Sequence, residues 1–183
     1  MTKHLSINRA PVLTLWAAIA AKRLGFAHDD ALTLGKAVAG LNAQAKGRRL
    51  GIFKPHDEKV HQAREKKADA KFLVEVLGRT VPVVNTADGI RATSKGQPIS
   101  PESVKRYLQG KFADDLDRVK QVMQKLAKAY KPKELADAAY PLYEQFRPAI
   151  PSAQEGRRMS SCAGLTSPLC RPKLHFDWRV AGL

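Results

Sequence analysis

The side chains that most often carry chemistry are sparse and poorly spaced in this chain. The histidines are His4, His28, His56, His61 and His175. No two of them stand three or four apart, the spacing that puts two imidazoles on one helix face to hold a metal, and His56 and His61, five apart, fall on different faces. His28-Asp29-Asp30 has the residue types of a metal cluster. Acids at a helix start also suit the positive helix end, and capping is the expected role. Cys162 and Cys170, the only cysteines, lie near the C-terminus without a patterned nucleophile context. No Gly-x-Ser-x-Gly, phosphate-binding loop or dinucleotide fingerprint occurs. No catalytic residue, metal ligand or cofactor is therefore expected, and the reading leans away from an enzyme while leaving that question open.

What remains is charge. Lys and Arg number 32 against 17 Asp and Glu, a formal +15, with a pI near 10.1. Such a chain attracts polyanions. Between Lys46 and Lys71 nine basic residues meet four acidic ones. The sharpest cluster is Asn42 to Phe53, where Asn42, Gln44, Lys46, Arg48 and Arg49 surround Gly47 and precede Gly51. Arg and Lys beside glycines reach phosphates, while Asn and Gln read base edges. The same cations also suit a helix C-terminus on structural grounds alone. Candidate nucleic-acid contacts are Asn42, Gln44, Lys46, Arg48, Arg49, Lys66, Lys67 and Lys71. The leading expectation is a nucleic-acid-associated protein that binds mainly through phosphates. The alternatives are a module docking an acidic protein partner, and a small-ligand site or enzyme around Asn42–Arg49. Basic residues on one face favour the polyanion reading; Asn42 and Arg48 buried around a concave pocket favour the ligand site.

These residues need helices to position them. Asn8 caps a first helix from about Arg9 to Leu24, with Pro11 in its first turn and Val12, Leu15, Trp16 and Ile19 facing a core. Gly25 ends it. A second helix starts at Asp29 or Asp30 and reaches about Lys46, with Gly47 as its stop and Gly51 as a second break. Its small residues, Ala31, Gly35, Ala39 and Ala43, recur every four positions and invite close packing with the first helix. The outline of two helices over 9–47 also suggests a helix-turn-helix, although Lys36 stands four before Gly40, where alanine is usual. A solvated helix is expected from about His56 to Ala70. Phe72–Val76, Thr80–Asn85 and Ile90–Thr93 read as a meander, with Pro82 marking a bulge or an unpaired edge. Ser100-Pro101-Glu102 starts a helix ending near Gly110. A longer one follows from about Ala113 to Tyr130, and Pro132 opens a last one to about Phe146, kinked at Pro141.

The expected fold is mostly α with a small antiparallel β-meander, an α+β single domain over residues 1–151 with the β insertion around 72–94. The apolar run Pro11–Ala21 is too short to span a bilayer, and the start is unlike a secretory signal. A cytoplasmic location is the expectation. Residues 152–183 follow no period and hold both cysteines; a disordered tail or a shifted-frame reading of the gene's end accounts for them.

Residues 7–150 carry a resemblance. Arg9-Ala10-Pro11-Val12-Leu13, Leu24-Gly25-Phe26, Asp30-Ala31-Leu32-Thr33-Leu34, the run from Asn42 to Phe53, Leu77-Gly78-Arg79-Thr80-Val81-Pro82 and Tyr143-Glu144-Gln145-Phe146-Arg147-Pro148 resemble a bacterial and fungal family of small basic proteins with no established function. Members continue past the Phe-Arg-Pro segment with a Gly-Trp-Gly stretch and a short Leu/Asp-rich helix, and this chain departs from that pattern from about Ser152. The resemblance implies a shared fold and brings no activity with it.

Overall fold

The computed structural model describes residues 7–51 and 72–148. In chain order they form α1 (Arg9–Arg23), α2 (His28–Arg49), β1 (Phe72–Val76), β2 (Arg79–Thr86), β3 (Gly89–Ser94), β4 (Gln97–Pro98), α3 (Pro101–Phe112), a 3-10 turn (Ala113–Asp115), α4 (Leu116–Lys128) and α5 (Pro132–Phe146). The strands make one antiparallel sheet in sequential order. This is the expected α+β architecture. The expected helix from about His56 to Ala70 and the tail after Pro151 lie outside the described residues. No helix among the described residues is long and apolar enough to cross a membrane.

The apolar run is the centre of the fold. Every residue from Pro11 to Ala21 is buried, because α1 touches each of the four other helices among the described residues. A helix apolar on every side belongs inside a core. Trp16 is fully buried; its indole N–H donates to the Ala139 carbonyl at 2.7 Å, and its ring meets Phe146 edge-on at 5.3 Å. That contact pins α5 to α1. Asn8 occupies the N-cap position but makes no side-chain capping bond. The other end closes as a Schellman motif: Phe26 N–H bonds to the Ala21 carbonyl, Gly25 N–H bonds to that of Lys22, and Gly25 has φ +105°.

Close approach of α2 to α1 depends on Gly35. A Cβ there would lie 2.4 Å from the Thr14 carbonyl oxygen and 2.8 Å from the Ala18 nitrogen. Ala31 and Ala39, one turn to either side, are buried, whereas Ala43, the fourth member of the stripe, is exposed.

The opposite side of α2 holds the sheet. The Ala92 N–H donates to the Thr33 hydroxyl at 3.2 Å. Arg91 of β3 pairs with Asp30 in the first turn of α2, both about nine-tenths buried, and the same guanidinium donates to the Asp88 carbonyl. Asp29 pairs with Lys105 of α3 at 3.1 Å. The first-turn acids thus serve ion pairs with other elements, a role beyond the capping expected of them, and the helix starts at His28.

Tight turns set the meander. Leu77-Gly78 and Lys95-Gly96 have φ near +50 to +80°, the two-residue hairpin geometry that matches strand twist. The second of these turns adds β4, which the sequence reading did not include. Pro82 stands opposite Leu73 of β1, but the ladder to β3 begins only at Val83, one residue after it. Its carbonyl accepts instead from the Thr93 hydroxyl. α3 continues through Gly110 to Phe112, a buried anchor, and α5 continues through Pro141 to Phe146.

Gly35 and Gly40 give opposite expectations. Gly40 is a helix-interior glycine with nothing within 4 Å of an added Cβ. Gly40→Ala should raise stability to chemical denaturation by about 0.5–1 kcal/mol, whereas Gly35→Ala should lower it by about 2–3 kcal/mol through backbone overpacking. Equal effects from the two substitutions would show that the helices do not meet closely at Gly35.

Candidate nucleic-acid interface

α2 is longer than α1, 22 residues against 15. Their alignment is read from α5: Tyr140 bonds to Asn42 near the end of α2, and Tyr143, one turn on, bonds to the Arg9 carbonyl at the start of α1. Asn42 is therefore level with the first residue of α1, and the seven residues after it overshoot by about 10 Å. Burial follows this geometry. Leu41 and Asn42 are half-buried, Ala43 to Lys46 are exposed, Gly47 is buried, and Arg48 to Gly51 are exposed.

The helix runs through its expected stop. Gly47 is helical, and the end comes after Arg49, where Leu50 caps and Gly51 takes φ +67°. A helix stop of this kind needs a left-handed residue just past the cap, and Gly51 supplies it. The result is one more turn of helix carrying Arg48 and Arg49.

At about 100° per residue the polar cluster divides between two faces. Asn42, Lys46 and Arg49 follow i, i+4, i+7 on one side; Gln44 and Arg48 follow i, i+4 on the other. Asn42 is held rather than presented: its Oδ1 accepts from the Tyr140 hydroxyl at 3.1 Å. Arg48 is exposed, so the arrangement of Asn42 and Arg48 buried around a pocket does not occur. A cavity of about 540 Å³ lies instead at the opposite end of α2. Lys66, Lys67 and Lys71 lie outside the described residues.

The structure brings cations here that the sequence did not single out. The Arg79 guanidinium of β2 lies 5.7 Å from the centre of the Tyr140 ring, close enough for attraction to the ring face. Arg9 donates to the Pro148 carbonyl, and its pKa is lowered by burial and then by neighbouring Arg147. Arg147 pairs with Glu144 at 3.1 Å. Burial pushes Tyr143 up to about 12. Arg9, Arg79 and Arg147 come from three separate elements, so no window of sequence shows them together. Comparison with protein-family models, curated proteins and solved structures finds no match to this chain.

Tyr140→Phe should cost about 1 kcal/mol in urea denaturation, the value of a partly buried hydrogen bond. Lys46→Ala, at an exposed position, should stay within about 0.5 kcal/mol of the parent. Loss of stability in the lysine variant and none in the tyrosine variant would reverse the roles given to them.

Proposed function

We propose that this protein associates with nucleic acid, chiefly through phosphate contacts, and that the exposed end of α2 is the leading contact surface. The observation that supports the reading most is the overshoot of α2, which presents Lys46 and Arg49 on one face of a helix end without acidic neighbours on that stretch. The net charge of +15 acts in the same direction over a longer range. Phosphates suit this surface better than base edges do. Asn42 is engaged by Tyr140, and Gln44 lies on the other side of the helix from Lys46 and Arg49. Contacts of that kind position a backbone without reading sequence. The proposal includes a cytoplasmic location and membership of the small basic family that residues 7–150 resemble.

An acidic protein segment would meet the same cations. Duplex density separates the two readings, since double-stranded nucleic acid carries one charge per about 1.7 Å and releases condensed counterions on binding.

Fluorescence anisotropy with duplex DNA, duplex RNA and poly-glutamate tests the proposal. Nucleic acid should bind tightly at low salt, with affinity falling steeply as salt rises. Lys46→Ala with Arg49→Ala should weaken binding and reduce the salt slope by about 2, one unit for each phosphate contact. Absence of binding at low salt would remove the proposal. Poly-glutamate binding as tight as that of the duplexes would transfer the surface to an acidic protein partner.

A further inference from the structure

The cavity at the other end of α2 has its own chemistry. It lies where the end of α1, the start of α2, α3 and α4 meet. Its floor is apolar: Leu15 and Ile19 from α1, Leu32 from α2, Leu108 from α3 and Leu116 from α4. Cations line it as well: Lys22, Arg23, Lys105, Lys120 and Lys128, with His28 among them. None of the lining residues is acidic. Lys105 is committed to Asp29 and Glu102. Lys22, Arg23, Lys120 and Lys128 form no ion pair among the described residues.

Helix-end electrostatics explain part of this. Lys22 and Arg23 lie in the last turn of α1 and Lys128 in the last turn of α4, where cations offset the negative helix end. Lys120 does not fit that account, since it stands in the second turn of α4, toward the positive end. His28 also opens a helix at its positive end. Burial lowers the His28 pKa, followed by Lys22 and Lys120; Asp29 opposes them, and Lys105 adds the smallest lowering effect. The uncompensated positive charge of the cleft therefore comes from α1 and α4, with Lys22, Arg23, Lys120 and Lys128, since Asp29 and Glu102 offset Lys105.

We propose that this cleft binds a single-chain anionic amphiphile of the fatty carboxylate class, with its chain along the leucine-lined floor and its headgroup among Lys22, Lys120 and Lys128. Charge complementarity selects the head, and the apolar floor selects the tail. A free inorganic anion would leave the floor uncovered, and a neutral hydrocarbon would leave the cations unanswered. The volume of about 540 Å³ falls in the range of small-ligand pockets. This proposal is independent of nucleic-acid binding, because it uses the opposite end of α2.

Calorimetric titration of the full chain with dodecanoate, dodecanol and acetate tests it, with His28 followed by NMR. Dodecanoate should bind saturably as one molecule per chain, at least about tenfold tighter than dodecanol or acetate, and should raise the His28 pKa by placing a negative charge beside it. Lys22→Ala with Lys120→Ala should weaken dodecanoate by at least about tenfold. Gln124→Trp, which fills the cleft from a half-buried lining position, should abolish binding, and melting curves check that both variants fold. No saturable binding, equal binding of dodecanol, or unchanged affinity in the folded lysine variant would overturn the proposal. Displacement of dodecanoate by an oligonucleotide that itself shifts His28 would also overturn it and give the cleft to nucleic acid.

Discussion

The missing side chain at Gly35 sets the distance between α1 and α2, and the rest of the structure follows from that distance. With the Thr14 carbonyl 2.4 Å from where a Cβ would stand, the two helices meet backbone to backbone at Gly35. α1 is then apolar on every side and must be enclosed, so α3, α4 and α5 gather round it. α2 keeps one face for α1 and turns the other to the sheet. There the Thr33 hydroxyl and the Asp30–Arg91 pair add to the apolar packing of Val81, Val83 and Ala92 in the same core. Removing one member of such a buried pair leaves an uncompensated charge. The junction between helix and sheet therefore depends on both members.

Two cationic regions arise from this arrangement, one at each end of α2 and about 30 Å apart along its axis. They are built differently. The C-terminal region is a helix overshoot: α2 outruns α1, and its last turn has no neighbour in α1. The N-terminal region is a cleft where four helix segments converge around an apolar floor. Acids sit only at the cleft end of α2: Asp30 pairs with Arg91, away from the cleft, and Asp29 pairs with Lys105 of the cleft wall. Lys22, Arg23, Lys120 and Lys128 face no carboxylate in the lining.

Much of the fold was legible in the sequence, for local reasons. Ser100-Pro101 and Pro132 mark helix starts because proline fits the first turn, and the structure starts α3 at Pro101 and α5 at Pro132. The small-residue stripe announced a close helix contact, correctly at Gly35. Helix ends were less legible. Gly47 and Gly110 look like stops, yet both are helical. The left-handed residue that a helix terminus needs was supplied by Gly51 in one case. In the other, the buried Phe112 drew the helix onward. Lys95-Gly96 was passed over because β4 is only two residues long. The candidate surfaces were the least legible part. Asn42 looked like a reader of base edges and proved to be tied to Tyr140, a partner 98 positions away. The cleft draws on residues from Leu15 to Lys128, and no local pattern can assemble positions that far apart.

The central claim is that the two ends of α2 do different work, and amide chemical-shift mapping with a short duplex oligonucleotide tests it most directly. The account predicts that the largest shifts fall between Gln44 and Gly51 and around Arg79, with His28, Leu32 and Lys120 unmoved. Shifts concentrated at His28, Leu32 and Lys120, with the end of α2 silent, would contradict it.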